Sequence, residues 1–202
     1  MTDIEPRLSP PAAPPFDRAR LDAGLTEAAA AAGLLDVAYG TLDSPLGELT
    51  VFMTRRGLVR LSYDGESLED ALVELAARVS PRILRAPART DSVRRELDAY
   101  FAGRRRSFDL SIDWSLVRGF AAGVLRATAE VPFGMVTTYG RVAGEAGSPR
   151  GARAAGNALG SNPIPIVVPC HRVLHADGGL GGYSGGLERK RFLLTLEGTL
   201  PA

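Results

Sequence analysis

Short apolar runs separated by turn-forming residues characterise the chain between residues 37 and 63. The runs are VAYGTL, ELTVFMT and LVRLSY, and each is rich in residues that favour β-strands. Residues 43–47 (DSPLG) and 55–57 (RRG) lie between them and have the composition of turns. The pattern predicts an antiparallel meander of three strands.

Helical spacing follows the predicted meander. Ser67 and Asp70 form a candidate capping box for a helix that continues to about residue 77. A second helix is predicted over about 91–102, where the apolar positions share one face: Val93, Leu97, Tyr100 and Phe101. Beyond it, a short strand is predicted from the alternation of Phe108, Leu110 and Ile112. Residues 36–114 are interpreted as a small α+β domain without a catalytic constellation.

The first 35 residues differ in composition from this domain. Residues 1–15 contain five prolines and few apolar anchors, which predicts a disordered tail. Residues 16–35 are dominated by alanine and leucine and contain no proline, which predicts a helix. Because this helix is only weakly amphipathic, we expect it to pack loosely.

Helical periodicity dominates residues 115–202. A helix is predicted over about 117–129, with Phe120, Val124 and Leu125 on one side. Thr138 is a suitable N-cap for the next helix, residues 147–149 (GSP) break it, and residues 150–159 form another. This is helix-turn-helix spacing, although ordinary helical hairpins share it. The predicted fold class is α+β, with a small N-terminal domain of short antiparallel sheet and helices before a mainly helical C-terminal domain.

The second helix of this pair is slim. Six of the eight residues 151–158 are glycine or alanine, and Arg153 is the only long side chain in its middle. Such a helix can approach a nucleic-acid groove closely, but small residues also permit close packing against another helix. Residues 139–160 contain three arginines and one glutamate, whereas the formal net charge of the chain is +1. Binding to a polyanion would therefore depend on a local patch and be modest in affinity.

Composition limits both the compartment and the chemistry. The single cysteine cannot form an intramolecular disulfide, which fits a reducing compartment and argues against a cysteine-based structural zinc site. No apolar run approaches the roughly 20 residues that span a bilayer, and the N-terminus lacks a signal-peptide layout. We expect a cytoplasmic protein that contacts no membrane and holds no metal.

Cys170 and His171 are the candidate reactive pair. A thiol becomes nucleophilic when it loses its proton, and an adjacent imidazole commonly removes it. A free cysteine is alternatively a small buried hydrophobic residue. Neighbours on a regular strand point to opposite faces, so cooperation requires a turn here or a bridging water. A base also needs a group that holds its tautomer, and both Glu197, just beyond a predicted helix at 187–196, and Glu188 are candidates.

Four segments carry a resemblance to a known family. NPIPIVVPCHRV and GGYSGGLERKRFLLTLEG resemble the signature region of the O6-alkylguanine-DNA alkyltransferases, and VPFGMVTTYGRVA and GARAAGNALGSNP are similar to segments of that family at matching spacings. The resemblance covers about residues 118–198, and LDAYFAGRRRSFDL resembles the family's N-terminal domain in outline. It implies direct DNA repair, in which the alkyl group on O6 of guanine in duplex DNA moves once and irreversibly to a cysteine. O4-alkylthymine stays open as a second substrate.

The resemblance also implies roles for five residues in the chemistry. Cys170 matches the alkyl acceptor, His171 a base that acts through a water, and Glu197 the group that orients His171. Asn162 matches the asparagine that connects the helix-turn-helix to the active-site loop. Tyr139 matches the tyrosine that helps to rotate the target nucleotide and can donate a proton to the leaving guanine.

Other matches concern DNA and the target base. Arg153 matches the arginine that fills the gap left by the extruded guanine, and Thr138 joins the DNA-contacting set. Tyr183 and Ser184 match the loop that walls the base pocket, and the backbone around Val173 is expected to read the base edge. The implied partner is double-stranded DNA containing O6-alkylguanine, bound through the minor groove by a monomer without a cofactor. Cooperative binding stays open.

The residues alone leave two rival functions open. One is a Cys–His hydrolase in which Cys170 attacks an acyl carbon and turns over many times. The other is a DNA-binding regulator that keeps the motif without using it. Some relatives bind zinc, but one cysteine and two histidines do not supply the ligands for it here.

Overall fold

Short strands form one four-stranded sheet in the first half of the chain. The computed structural model describes residues 18–201, so the predicted tail at residues 1–15 lies outside the described residues. The three predicted strands form an antiparallel meander, which confirms the prediction, and the sheet order is β3-β2-β1-β4. The strands are β1 (Val37–Leu42), β2 (Leu49–Thr54), β3 (Gly57–Tyr63) and β4 (Ile83–Arg85).

Strand β4 was not predicted, and it pairs parallel to β1. It is only three residues long and follows Pro81, so it has no alternating pattern of its own. Contacts just outside the strand hold it in place, since Arg82 forms an ion pair of 2.6 Å with Asp36, whose backbone N–H donates to the Arg82 carbonyl. Tertiary contacts rather than local sequence therefore create this strand.

Three helices accompany the sheet: α1 (Arg18–Ala31), α2 (Leu68–Arg78) and α3 (Pro87–Phe101). Helix α1 falls within the predicted range 16–35, and Leu21 and Leu25 on it are exposed. One of the two hydrogen bonds of the predicted capping box is present: the Ser67 hydroxyl accepts from the Asp70 backbone N–H and so caps the start of α2. Helix α3 begins earlier than the predicted residue 91, with Pro87 at its first turn, where a missing N–H costs nothing.

The strand predicted from Phe108, Leu110 and Ile112 is wrong. Only an isolated parallel bridge joins Leu58 to Ile112, and no ladder extends from it. The backbone at Ser111 passes very close to Gly57, the first residue of β3. A Cβ at that position would lie 2.1 Å from the Ser111 carbonyl oxygen, so only glycine fits there. The alternation of these residues reflects one apolar side packed on the core, with the backbone otherwise outside the sheet.

The second half is mainly helical, as predicted. Its elements are α4 (Gly119–Ala129), α5 (Tyr139–Glu145), α6 (Ala152–Gly160) and α7 (Leu187–Leu196), with the two-residue parallel strands β5 (Thr137–Thr138) and β6 (Val173–Leu174). Helices α5 and α6 form the predicted helix-turn-helix, and the Thr138 hydroxyl caps α5 by accepting from the Arg141 N–H. The α+β fold class is confirmed.

The two halves share a hydrophobic core. One cluster of buried side chains extends from the sheet and α3 to α4, α5, α6 and α7 and includes Tyr63, Tyr100 and Cys170. A smaller cluster lies between the other face of the sheet and α2. Because the main cluster is continuous, residues of the sheet domain reach the site in the helical domain.

Candidate active site and nucleic-acid interface

The Cys170 thiol is buried and held by the loop that follows α6. The Asn162 side-chain amide donates to the Cys170 Sγ at 3.1 Å and to the Val168 carbonyl at 2.9 Å. Its carbonyl oxygen accepts from the Ile164 N–H at 3.0 Å. Asn162 therefore fixes both the loop and the thiol immediately after the second helix of the helix-turn-helix.

This loop contains a strained backbone conformation. Ile166 has φ 72°, the only described residue other than glycine in the left-handed region, and its side chain is fully buried. A β-branched residue there costs of the order of 1–3 kcal/mol and persists only where its surroundings enforce it. The apolar run before Cys170 is thus a sequence of tight turns, which ends in a 3₁₀ turn at Cys170–Arg172.

Burial dominates the electrostatics of the thiol. It raises the pKa of Cys170, and the hydrogen bond from Asn162 and the positive charge of Lys190 act in the opposite direction. Lys190 is the only lysine in the chain and has no exposed surface. Its Nζ donates to the carbonyls of Val173, at 2.7 Å, and Leu180, and burial lowers its pKa to about 8. The resting site therefore favours a neutral thiol.

His171 follows Cys170 in the 3₁₀ turn, so the two residues are not arranged as neighbours on a strand. Its Nε2 lies 3.0 Å from the Glu197 Oε1. Because a carboxylate only accepts hydrogen bonds, Nε2 carries the proton and Nδ1 is the acceptor. Burial lowers the pKa of His171, which keeps the ring neutral. The buried Nδ1 has no hydrogen-bond partner among residues 18–201.

Glu197 is the carboxylate that contacts His171, whereas Glu188 is exposed in the first turn of α7. Arg172 donates to both Glu197 oxygens at 2.8 Å, and the Tyr100 hydroxyl donates to Oε1 at 2.6 Å. Burial raises the pKa of Glu197, but the bonds from His171, Arg172 and Tyr100 outweigh it and hold that pKa at about 2. Glu197 is therefore ionised, and Arg172 balances its charge.

A pocket of about 680 Å³ opens beside the thiol. It has the slim face of α6 on one side, the loop after β6 on another and Cys170 at its wall. Its lining residues are Tyr139, Ala152, Arg153, Gly156, Leu159, Gly160, Cys170, His175, Gly182, Tyr183 and Ser184. The small residues of α6 leave the space that a bulky helix would fill.

Tyr139 is confined between α6 and the loop. A Cβ on Gly156 would lie 3.8 Å from the Tyr139 ring, and one on Gly181, which has φ +66°, would lie 2.5 Å from its hydroxyl. The His175 ring packs against the Tyr139 ring at 5.1 Å between centroids. Burial raises the pKa of Tyr139, and ionisation of Cys170 would raise it further, so Tyr139 remains a phenol that can donate a proton.

Of the six residues predicted to contact DNA or the target base, four line the pocket and two do not. Arg153 is exposed and makes no hydrogen bond or ion pair with any residue that the structure describes. Ser184 is exposed at the rim. Thr138 and Val173 belong instead to the paired strands β5 and β6, which join the helix-turn-helix to the active-site loop. The backbone N–H and carbonyl of Val173 already bond Cys170 and Lys190.

Sequence reasoning missed Tyr100, Arg172 and Lys190 as members of the site. Tyr100 has the spacing of a core residue on α3, and its bond to Glu197 spans 97 positions of the chain. Lys190 is the only lysine in an arginine-rich sequence, and this is the one signal in the sequence that could have pointed to it.

Within residues 18–201 no group of three or more His, Cys, Asp or Glu residues could hold a metal ion. In the same range no helix is long and apolar enough to cross a membrane.

A helix-turn-helix beside a pocket with a buried thiol defines a DNA-binding protein with cysteine chemistry. Residues 119–199 match the profile of the 6-O-methylguanine DNA methyltransferase DNA binding domain, and residues 37–114 match that family's ribonuclease-like domain. The chain belongs to the 6-O-methylguanine DNA methyltransferase family.

Relatives named methylated-DNA–protein-cysteine methyltransferase support the assignment. The chain is 48% identical over 165 residues to that of Methanosarcina acetivorans, covering 80% of this chain and 98% of the relative. It is 36% identical over 177 residues to that of Homo sapiens, covering 78% and 79%. The crystal structure of the Mycobacterium tuberculosis O6-methylguanine methyltransferase matches with a TM-score of 0.69 at 39% identity, covering 82% and 96%. That of Mycobacterium tuberculosis OGT in complex with DNA matches with a TM-score of 0.67 at 38% identity and the same coverage.

Proposed function

We propose that the protein repairs DNA by moving the alkyl group from O6 of guanine in duplex DNA to its own Cys170. The observation that carries this proposal is the position of the thiol, which lies at the wall of a pocket directly beside the slim second helix of a helix-turn-helix. The O6 atom is inaccessible inside the duplex, so the base must leave the stack to reach a protein thiol. The pocket is the space into which it turns.

Activation of Cys170 proceeds through His171. A water between Sγ and the free Nδ1 of His171 takes the thiol proton to the ring, while Nε2 stays bonded to Glu197. The carboxylate stabilises the imidazolium that forms. Asn162 and Lys190 stabilise the thiolate, by a direct hydrogen bond and by positive charge.

Transfer forms a bond from Sγ to the alkyl carbon and breaks the bond from that carbon to O6. The electron pair remains with the guanine, which takes a proton from the Tyr139 hydroxyl. The product is a thioether, and no group in the described site is suited to cleave it. Each molecule therefore reacts once.

Helix α6 binds DNA through the minor groove. Arg153 has no competing partner and fills the gap left by the extruded base, which offsets part of the unstacking cost. Tyr139 rotates the nucleotide, Tyr183 walls the base and Ser184 hydrogen-bonds O6. Thr138, the N-cap of α5, holds the start of the helix-turn-helix near the DNA backbone. Val173 contributes through its carbonyl, which has a second lone pair beyond the one used by Lys190.

We also propose that the protein acts as a monomer in the cytoplasm, where a reducing environment keeps its only cysteine available. Its substrate is the O6-alkylguanine base. Equilibrium sedimentation with and without a short DNA duplex measures the molecular mass and so tests whether the protein is monomeric.

Intact-mass spectrometry tests the proposed function. The protein is mixed with a duplex containing O6-methylguanine, with an unmodified duplex as control and Cys170→Ser as the matched variant. We expect one methyl group on Cys170, only with the damaged duplex and only in the wild type. Turnover beyond one equivalent would support the hydrolase instead, and intact DNA binding without an adduct would support the regulator.

A further inference from the structure

Two tyrosine hydroxyls from different halves of the chain meet behind the pocket. Tyr63 ends strand β3 in the sheet domain, and Tyr183 lies in the loop that lines the pocket. Their hydroxyl oxygens are 2.6 Å apart, and their rings meet edge to face at 6.3 Å. Tyr63 is only 4% exposed. A hydrogen bond of this length in a region shielded from water is a strong constraint on both hydroxyl groups.

The pair is held in place from several sides. The Arg189 guanidinium stacks 4.7 Å from the centre of the Tyr63 ring and donates to the carbonyls of Asp64, at 3.2 Å, and Gly185, at 3.1 Å. A Cβ on Gly185 would lie 2.6 Å from the Tyr63 ring and 2.9 Å from the Tyr183 ring. A side chain at this position would separate the two tyrosines, so the loop is built to bring them together.

The direction of the hydrogen bond follows from the charge nearby. Burial raises the pKa of Tyr63 and of Tyr183, so both remain phenols with one proton each. Only one of the two protons can lie between the oxygens. When Cys170 ionises, the lowest-energy arrangement directs the other proton toward the thiolate, and Tyr183 is the member of the pair that lines the pocket with Cys170. A hydrogen bond from Tyr183 is among the effects that lower the pKa of Cys170.

We infer that Tyr63 is a positioning residue for alkyl transfer: its hydroxyl donates to Tyr183, which leaves the Tyr183 proton to stabilise the Cys170 thiolate. The inference rests on the proposed role of Cys170 and extends it to the sheet domain. Tyr63 does not line the pocket, and its hydroxyl is bonded to that of Tyr183. It acts only through the orientation of the Tyr183 hydroxyl.

Tyr63→Phe tests the inference, because it removes the hydroxyl and keeps the ring that packs on Arg189. The readouts are the pH dependence of Cys170 alkylation by iodoacetamide and the single-turnover rate with free O6-benzylguanine. We expect a rate about 3- to 10-fold lower near pH 7, the value of one hydrogen bond, with the difference shrinking at alkaline pH. Tyr39→Phe is the matched control, because Tyr39 lies in the same sheet but stacks on Phe52.

A double substitution isolates the pathway. Tyr183→Phe alone should give the same shift of the pH profile, and Tyr63→Phe should cause no additional loss in that background. Independent losses that add, or a Tyr63→Phe profile identical to the wild type, would overturn the inference. Failure of the wild type to form an adduct with O6-methylguanine DNA would instead refute the proposed function, so the two results are distinguishable. Urea unfolding of each variant shows whether a slower rate is accompanied by a loss of fold.

Discussion

Replacing Glu197 by glutamine removes a buried charge with almost no change in shape. Glu197 accepts hydrogen bonds from Tyr100, His171 and Arg172. The amide of glutamine can accept some of these bonds but cannot balance the charge of Arg172, which is itself buried. The substitution therefore leaves a guanidinium without its counter-ion inside the protein.

The cost follows from the pKa of Glu197, which is about 2 in the folded protein against an ordinary value of 4.5. At about 1.4 kcal/mol per pKa unit, the folded protein gains about 3 kcal/mol from the ionised carboxylate. Breaking a buried ion pair on one side has a similar cost, about 3–5 kcal/mol. Glu197→Gln should therefore lower the free energy of unfolding by about 3 kcal/mol at neutral pH and leave the protein folded in the absence of denaturant.

The pH dependence has a definite sign. The pKa of Glu197 is lower in the folded chain than in the unfolded one, so its contribution is complete above about pH 4.5 and is lost as the pH falls toward 2. Urea unfolding of the wild type and Glu197→Gln should therefore show a gap that is constant above pH 5 and narrows below about pH 4. Glu188→Gln is the matched control, because Glu188 is exposed in the first turn of α7, the helix that Glu197 caps at its other end, and it should behave like the wild type.

A second substitution separates stability from activation. Adding Arg172→Met to Glu197→Gln removes the unpaired charge, so much of the lost stability should return. The alkyl-transfer rate should not return, because His171 still lacks the carboxylate that stabilises its protonated form, and we expect it to stay about 10²-fold below the wild type. A difference in unfolding free energy below about 1 kcal/mol at pH 7, or a gap that does not narrow in acid, would refute the reasoning.

Two other predictions concern the pocket and its support. Arg153→Ala should slow transfer from duplex DNA far more than from free O6-benzylguanine, because only duplex leaves a gap to fill, and Arg153→Lys should restore only part of the rate; equal losses on both substrates in single-turnover assays would exclude the gap-filling role. Burial lowers the pKa of Lys190 to about 8 from 10.5. Between pH 8 and pH 10.5 the unfolded chain therefore binds more protons than the folded chain, so the free energy of unfolding of the wild type should rise with pH in this range. The rise relative to Lys190→Met should reach up to about 3 kcal/mol. Urea unfolding at several alkaline pH values measures this rise, and parallel curves for the two proteins would contradict it.

Local patterns were sufficient for most of the fold. The meander, the Ser67 cap and the helix-turn-helix each follow from the spacing of apolar and turn-forming residues over a few positions. Strand β4 and residues 108–112 depend instead on partners far away in the sequence. Residues 83–85 form strand β4 because they pair with β1, although they show no alternation. Residues 108–112 alternate but pair with the sheet only at the isolated bridge between Ile112 and Leu58. Pairing in a sheet is a tertiary property, and alternation alone does not supply a partner.

Prediction of the candidate site was limited in the same way. Cys170 and His171 could be paired from the sequence because they are adjacent. Glu197 contacts His171 from the C-terminal end of α7, and the sequence predicts the end of that helix correctly. Spacing could not choose Glu197 over Glu188, since that choice depends on which end of α7 faces the turn. Tyr63 and Tyr100 look like ordinary core tyrosines in sequence. Only their hydroxyl partners, on the other half of the chain, distinguish them.

The sheet domain is therefore part of the site, although it carries no reactive group. The Leu61 N–H donates to the Pro163 carbonyl in the loop that contains the strained Ile166. From the same domain, the Tyr100 hydroxyl bonds Glu197, the partner of His171, and the Tyr63 hydroxyl bonds Tyr183 at the pocket. A protein that can react only once gains from a thiol that stays protonated, because thiolates are also the form that oxidants and stray electrophiles attack. Burial supplies that protection by raising the pKa of Cys170. The fixed donors around the thiol then supply the stabilisation of the thiolate when a base occupies the pocket, and fixed donors require the rigid packing that two joined domains provide.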